Sequence, residues 1–250
     1  MALLEIVKSI SKKTPPTCSV VIAAAGSSQR CKGEDKLFYN INERPVLAHT
    51  IEVFQSCAFV DEIIVVTRKE QLEKVAEMCH VNKFDKVSKV IVGGETRTES
   101  VFNGVFAVSK KSKFIAIHDG ARACIDKDII NKTLTAAAKN HAAAPAIEIT
   151  STLKQTEGEI ILKTVDKTEM IEIQTPQIFR EEIIKAALTN VMKKSIPVTD
   201  DCMAVELLGL PVHIVEGSSK NIKITTNDDL IIAEGIISFN QKHSDSKRNS

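Results

Sequence analysis

Four short stretches of the chain combine small residues with isolated charges in a way that suits the handling of a small polyanion. The first, AAAGSSQRCKGEDK (23–36), follows an apolar run and sets Gly26 among small neighbours, with Arg30 and Lys36 as the cations behind it. Backbone N–H groups of such a loop can cradle an anion; the same composition also suits a plain turn. The second, GGETRTES (93–100), puts a glycine pair ahead of a helix start. It reads as a tight turn with a helix cap, or as a close backbone approach to a flat ring or a sugar, helped by Ser100. The third, HDGARAC (118–124), ends an apolar strand on Asp119, with Arg122 three residues on. The carboxylate suits sugar hydroxyls or a metal and the arginine fork suits a phosphate, with a plain Asp to Arg surface pair as the alternative. The fourth, SSKNIKITTNDD (218–229), sets Lys223 between Ile222 and Ile224. In an extended strand it points away from both, either into solvent or into the mouth of a site.

Two familiar phosphate fingerprints fail in the first stretch. GxGxxG breaks at Ser28, and GxxxxGK[ST] breaks because Gly33 is followed by Glu34. Hydride transfer with a nicotinamide and P-loop hydrolysis are both disfavoured. His118, beside Asp119 at the end of an apolar run, reads as a hydrogen-bonded structural histidine and not a proton carrier.

The elements that must position these stretches follow from hydrophobic periodicity. Continuous apolar runs at Cys18–Ala25, Glu62–Thr67, Lys89–Gly94, Phe114–Gly120 and Ala142–Ile149 are the pattern of strands covered on both faces. Helix-period segments lie between them at Val46–Ser56, Glu70–Met78, Arg97–Ser109 and Asp126–Asn140. Strands alternating with helices predict an α/β fold with a mostly parallel, Rossmann-like sheet flanked by helices. In such a sheet, ligands bind beyond the carboxyl ends of the strands, where the charged stretches fall. The rhythm breaks at residues 150–166, whose alternation around Glu157 and Gly158 predicts a protruding β-hairpin arm. A lone two-stranded hairpin is marginal, so the arm is expected to rest on something else, such as a second subunit. Further helices are predicted at Arg180–Lys194, Asp200–Leu208 and Asn227–Phe239, with strands at Val212–Glu216 and Asn221–Thr225.

Composition narrows the class. The chain has 250 residues, 33 Lys plus Arg against 32 Asp plus Glu, six cysteines and no tryptophan. The near-neutral balance and the shortage of aromatics argue against a nucleic-acid binder, so a polyanionic partner must be small and met by a few placed cations. The cysteines, at 18, 31, 57, 79, 124 and 202, have neither metal-ligand nor disulfide-framework spacing. Free thiols in an apolar-rich chain suit a reducing compartment; cytoplasm is the expected location, with a plastid-like organelle less favoured. Residues 1–16 lack the pattern of a signal peptide or membrane span and read as an N-terminal extension. Residues 17–239 are expected to form one domain, and 240–250 a disordered tail.

The ordered set AAAG(x)3R(x)5K, GGxxRxxS, HDGAR, TVDK, QTPQ(x)F, TDD and NIKIT resembles the 2-C-methyl-D-erythritol 4-phosphate cytidylyltransferases of the non-mevalonate isoprenoid pathway, over about residues 18–238. The resemblance implies transfer of a cytidylyl group from CTP to 2-C-methyl-D-erythritol 4-phosphate with release of pyrophosphate. It also implies Mg2+ bound mainly through the CTP phosphates, and a homodimer joined by the arm. Carried over by motif, Ala24, Ala25 and Gly26 would cradle CTP, with Gly94, Glu95, Ser100 and Gly120 also on the nucleotide. Arg30, Lys36, Lys167 and Lys223 would serve catalysis. Asp119, Arg122, Thr152, Thr175 and Thr199 would handle the sugar phosphate or ribose. Which residues would ligate the metal is left open by the resemblance.

The chain departs from the family pattern at Asp35, where proline is usual before the lysine, at Leu37 in place of glutamine, and at Lys167, where arginine is common. Lysine keeps the charge but loses the bidentate fork. Gly120 also stands where alanine is usual. Other functions to weigh are a ribitol 5-phosphate cytidylyltransferase, disfavoured because AAAG stands where paired glycines are common, and a non-catalytic nucleotide-binding module, disfavoured by the retained cations.

Overall fold

The apolar run Cys18–Ala24 forms strand β1, and its Val20, Val21 and Ile22 are fully buried, so helices must cover both of its faces. The computed structural model describes residues 16–26, 35–109 and 112–248. After β1 come a two-residue pair of strands, β2 (Asn40–Ile41) and β3 (Arg44–Pro45), and helix α1 (Val46–Gln55). The alternating part continues with β4 (Val60–Thr67), α2 (Leu72–Val81), β5 (Val87–Val92), α3 (Arg97–Ala107), β6 (Phe114–Asp119), α4 (Lys127–Asn140) and β7 (Ala142–Glu148). The arm strands β8 (Lys154–Glu157) and β9 (Ile160–Thr164) are followed by β10 (Ile171–Ile173) and β11 (Gln177–Arg180). The chain ends with α5 (Glu181–Lys194), α6 (Asp201–Glu206), β12 (His213–Glu216) and α7 (Asn227–Arg248).

The strands pair in the order β10-β7-β11-β6-β1-β4-β5, with β12 also on β7. The β1–β4, β1–β6, β4–β5 and β7–β12 pairs are parallel. The sheet is thus mostly parallel, as the sequence predicts. Alternate residues of β1 serve opposite cores: Val20 and Ile22 pack with Leu47, Phe54 and Leu134, whereas Val21 packs with Val101, Ile117 and Phe179. Helix α3 lies unusually close to the sheet. A Cβ on its Gly104 would stand 2.4 Å from Val21 Cγ1 and 2.8 Å from Val66 Cγ2, so only glycine admits that approach.

Three features differ from the sequence prediction. β11 runs antiparallel between β6 and β7, and β10 is antiparallel to β7; both belong to the segment after the arm, where no strand is predicted. Residues 221–225 form no strand. β6, the strand they would reach, already has β1 and β11 on its two edges, so they cross its exit loop with Ile224 N–H donating to Ala121 O at 2.9 Å. Alternation survives there, with Ile224 buried and Lys223 exposed. Finally, helix α7 extends past Phe239 to Arg248; residues 236–248 contain no glycine or proline to stop it.

The arm appears where the sequence places it, turning at Gly158 with φ +56°. Its strands pair only with each other among the described residues. The cysteines at 18, 57, 79, 124 and 202 are buried and unpaired with one another. Burial pushes the thiols of Cys57 and Cys79 up to about 11 and that of Cys124 up to about 12, the behaviour of core residues and not of reactive thiols.

Candidate active site

The exits of β1, β4, β5 and β6 open on one rim and enclose a cavity of about 550 Å3, a size suited to a nucleotide-sized ligand. Of the residues singled out in the sequence, Ala24, Ala25, Gly26, Lys36, Gly94, Glu95, Ser100, Asp119 and Lys223 all line it. The four charged stretches therefore converge as the strand-exit rule requires.

Local sequence explains how each wall is held. Thr96 caps α3 by accepting from Glu99 N–H at 3.1 Å, and the Glu99 carboxylate in return accepts from the N–H groups of Thr96 at 3.3 Å and Glu95 at 2.7 Å. That leaves the Glu95 side chain exposed at the cavity. Ser100 Oγ accepts from Gly94 N–H at 3.1 Å and donates to Thr96 O at 2.9 Å. A Cβ at Gly94 would stand 2.3 Å from Glu99 Cβ, so packing alone demands glycine. At Gly26 a Cβ would meet nothing within 4 Å; what a side chain there would obstruct is the cavity.

Asp119 is the electrostatic hub. Its Oδ1 lies 3.2 Å from Arg97 Nε, its Oδ2 lies 2.7 Å from Lys223 Nζ, and Arg122 Nε stands 3.9 Å away. Burial pushes its pKa up, but Arg97, Lys223 and Arg122 outweigh burial and hold the carboxyl far below the usual carboxylate range. Arg97 also reaches Asp201 Oδ2 at 2.9 Å. Burial acts to lower the arginine's pKa, yet Asp201 and Asp119 keep it above its ordinary value. For Asp201 burial wins over Arg97, and its pKa is raised.

Behind this hub lies a neutral relay. Thr175 Oγ1 accepts from Asp119 N–H at 3.1 Å and faces His118 Nδ1 at 2.9 Å, while His118 Nε2 lies 3.3 Å from Arg122 O. A carbonyl can only accept, so Nε2 carries the proton and Nδ1 accepts from Thr175. Burial pulls the imidazole down to about 4, and the structural role expected of His118 fits this neutral form.

The remaining predicted residues stand elsewhere. Arg122 is buried behind the cavity, with Nη1 donating to Asn221 O at 2.6 Å, so it holds the segment that carries Lys223. Gly120 is buried against Ala23 O, Leu47 and Ala24, and its N–H donates to Ala23 O at 2.9 Å; it supports the cradle from behind. Thr175 is likewise buried behind Asp119. Thr152 and Thr199 are exposed and do not line the cavity. Lys167 Nζ donates to Ile149 O at 2.6 Å and Thr150 O at 2.7 Å, at the root of the arm and away from the cavity of its own chain. Arg30 lies outside the described residues.

Two charged cavity residues, Arg97 and Arg68, are not among the site residues that the sequence points to. Arg97 sits inside the GGETRTES stretch, which was valued for its glycines and serine, and Arg68 follows β4 and pairs with Asp35. No group of three His, Cys, Asp or Glu side chains among the described residues could hold a metal ion. No helix among them is long and apolar enough to cross a membrane.

The model of the 2-C-methyl-D-erythritol 4-phosphate cytidylyltransferase family matches residues 18–238. A protein of that name from Halalkalibacterium halodurans is 36% identical over 90% of this chain and 98% of its own length. Another from Caldanaerobacter subterraneus is 41% identical over 86% of this chain and 96% of its own. Among solved structures, a 4-diphosphocytidyl-2C-methyl-D-erythritol synthase from Anaerococcus prevotii superposes with a TM-score of 0.78 at 30% identity, covering 90% of this chain and 99% of that one. A rim of small residues and cations around Asp119, on a sheet shared with these proteins and with a family match across almost the whole fold, places the chain in the 2-C-methyl-D-erythritol 4-phosphate cytidylyltransferase family.

Proposed function

We propose that this protein transfers the cytidylyl group of CTP to the phosphate of 2-C-methyl-D-erythritol 4-phosphate, giving 4-diphosphocytidyl-2-C-methyl-D-erythritol and pyrophosphate. The observation that carries the reading is the convergence of Lys36 and Lys223 with the Ala24 to Gly26 cradle on one cavity, in a chain of this family. An acceptor phosphate oxygen attacks the α-phosphorus of CTP in line. One P–O bond forms as the bond to the β-phosphate oxygen breaks, and pyrophosphate carries away the electron pair. A phosphate is already ionised at neutral pH, so no general base is required, in keeping with a neutral, buried His118.

The work left to the protein is to bring anions together and to offset the charge that accumulates. Lys36 and Arg30 meet the triphosphate, while Lys223, half-exposed beside Asp119, holds the attacking phosphate. Arg122 acts through Asn221, keeping the Lys223 segment in place. Gly94, Glu95 and Ser100 form the wall against which cytosine is read. Magnesium would be held mainly through the triphosphate and would shield its charge; Asp119, the carboxylate at the end of β6, is engaged by Arg97 and Lys223. A homodimer through the arm is supported by the exposure of Ile160, Ile161 and Leu162, at 68%, 61% and 52%, and in it Lys167, Thr152 and the partner's cavity would come together. A bacterial-type cytoplasmic location accords with the bacterial relatives.

The test is pyrophosphate release with each of four nucleoside triphosphates, against 2-C-methyl-D-erythritol 4-phosphate and ribitol 5-phosphate. Turnover is expected with CTP and the methylerythritol phosphate. Preference for ribitol 5-phosphate, or CTP binding without turnover on either acceptor, would overturn the reading.

A further inference from the structure

Asp35 immediately precedes Lys36 and does two things with one carboxylate. Its Oδ1 accepts from Leu37 N–H at 3.2 Å, capping the three-residue 3-10 turn Lys36–Phe38 that begins with the lysine. Its Oδ2 forms an ion pair with Nη2 of Arg68. Arg68 is the residue after β4, whose last residue, Thr67, registers with Ala24 of the cradle strand. One end of the pair is thus fixed to the sheet at the cavity rim, and the other to the turn that presents Lys36 to the same cavity.

A short 3-10 turn has little hydrogen bonding of its own; here Phe38 N–H donates to Asp35 O at 2.8 Å. Leu37 anchors the turn in the core, and the ion pair adds a second, polar attachment at the residue next to the lysine. The two side chains are only 14% and 26% exposed, Asp35 being the more buried, so solvent screens the pair less than a surface pair. The pair also spans 33 positions of sequence, so it joins elements that no local geometry connects.

We propose that the Asp35–Arg68 pair is a positioning device: it fastens the turn bearing Lys36 to the carboxyl end of β4 and so sets the lysine for the transition state. Neither residue needs to touch a substrate atom. The inference rests on the reading that Lys36 meets the triphosphate during transfer.

The experiment measures kcat and KM for CTP in the full chain for Asp35→Asn, Arg68→Met, Arg68→Lys, the Asp35→Asn/Arg68→Met double variant and Lys36→Met. Asparagine keeps a cap acceptor while removing the charge, which isolates the ion pair from the cap. A misplacement of about 1 Å can cost on the order of a hundredfold in rate. Each of Asp35→Asn and Arg68→Met is therefore expected to lose roughly tenfold or more in kcat, with KM for CTP within about twofold. The double variant should be no worse than either single, because both break one device, and Arg68→Lys should recover much of the loss. Each single variant strands a part-buried charge and can lose stability on that account, whereas the double variant strands none; a double variant that melts near the parent while its kcat stays low separates positioning from folding. If Lys36→Met is inactive while Asp35→Asn and Arg68→Met turn over at the parent rate, the positioning role is overturned and the site reading stands. If Arg68→Met raises KM for CTP and leaves kcat unchanged, Arg68 grips the nucleotide itself and the proposal is wrong. If Lys36→Met keeps full activity, the site reading fails, and the proposal with it.

Discussion

Replacing Arg97 by methionine tests whether the Asp119 hub holds the fold together as well as the site. Arg97 joins α3 to two other elements, through Asp119 at the end of β6 and Asp201 at the start of α6. The Asp201 side chain is 2% exposed, against 31% for Arg97, and Arg97 is its only ion-pair partner among the described residues. Asp119 would keep Lys223 and Arg122, so the cost falls mainly on Asp201. Removing one partner of a buried pair typically costs about 3 to 5 kcal/mol; the partial exposure of Arg97 argues for the lower end, about 3 kcal/mol. For a domain of this size that lowers the melting temperature by about 6–12 °C. Burial already raises the Asp201 pKa, and Arg97 is what opposes it. In the variant, the folded state therefore binds a proton that the unfolded state has released, so the deficit grows as pH rises and shrinks as pH falls toward 5. With no tryptophan in the chain, unfolding is best followed by far-ultraviolet circular dichroism. The Arg97→Met/Asp201→Asn double variant should recover about half of the loss or more, since it removes the stranded charge. A single variant melting within about 2 °C of the parent, or a double variant no more stable than the single, would refute the argument.

Lys223→Met should cut turnover by about a hundredfold, the usual cost of a preorganised charge donor. It should leave the melting temperature almost unchanged, because a pair with one half-exposed partner adds little stability; stopped assays and a thermal melt check both. Acid should destabilise the fold through His118, whose folded pKa of about 4 lies below its ordinary 6.5. The unfolded state then binds more protons as pH falls between these values, and stability of the order of 3 kcal/mol is lost. Urea unfolding of the parent and of His118→Asn from pH 7 to pH 4.5 should show the steeper decline in the parent, and parallel curves would count against it. Gly104→Val must drive α3 away from Val21 and Val66; a loss of about 1 to 3 kcal/mol or more is expected, readable as a lower urea midpoint.

What could be read in the sequence, and what could not, divides along physical lines. The central strands were legible because a strand covered on both faces must be apolar on both, and residues 20–24 and 63–66 are unbroken apolar runs. β11 was not: Gln177–Arg180 is four residues long, and Gln177 enters the core as the polar group that meets Asp200 and the start of α6. The strand exits were legible as chemistry because backbone must approach a ligand there, which selects Gly26 and its small neighbours. The partners across long separations were not, since nothing local ties Asp35 to Arg68 or Arg97 to Asp201. Arg97 nevertheless leaves a trace. An arginine opening a helix faces the positive end of the helix dipole, which costs stability unless an acid answers it. Asp201, at the head of α6, sits where such a carboxylate is locally favoured, and it is buried beyond what capping requires. Each residue looks ordinary on its own helix only while the other is ignored. Taken together, they show two helix starts whose charges make sense as a pair, and the resulting bridge fastens Asp119 between them at the point where the β6 exit meets the cavity.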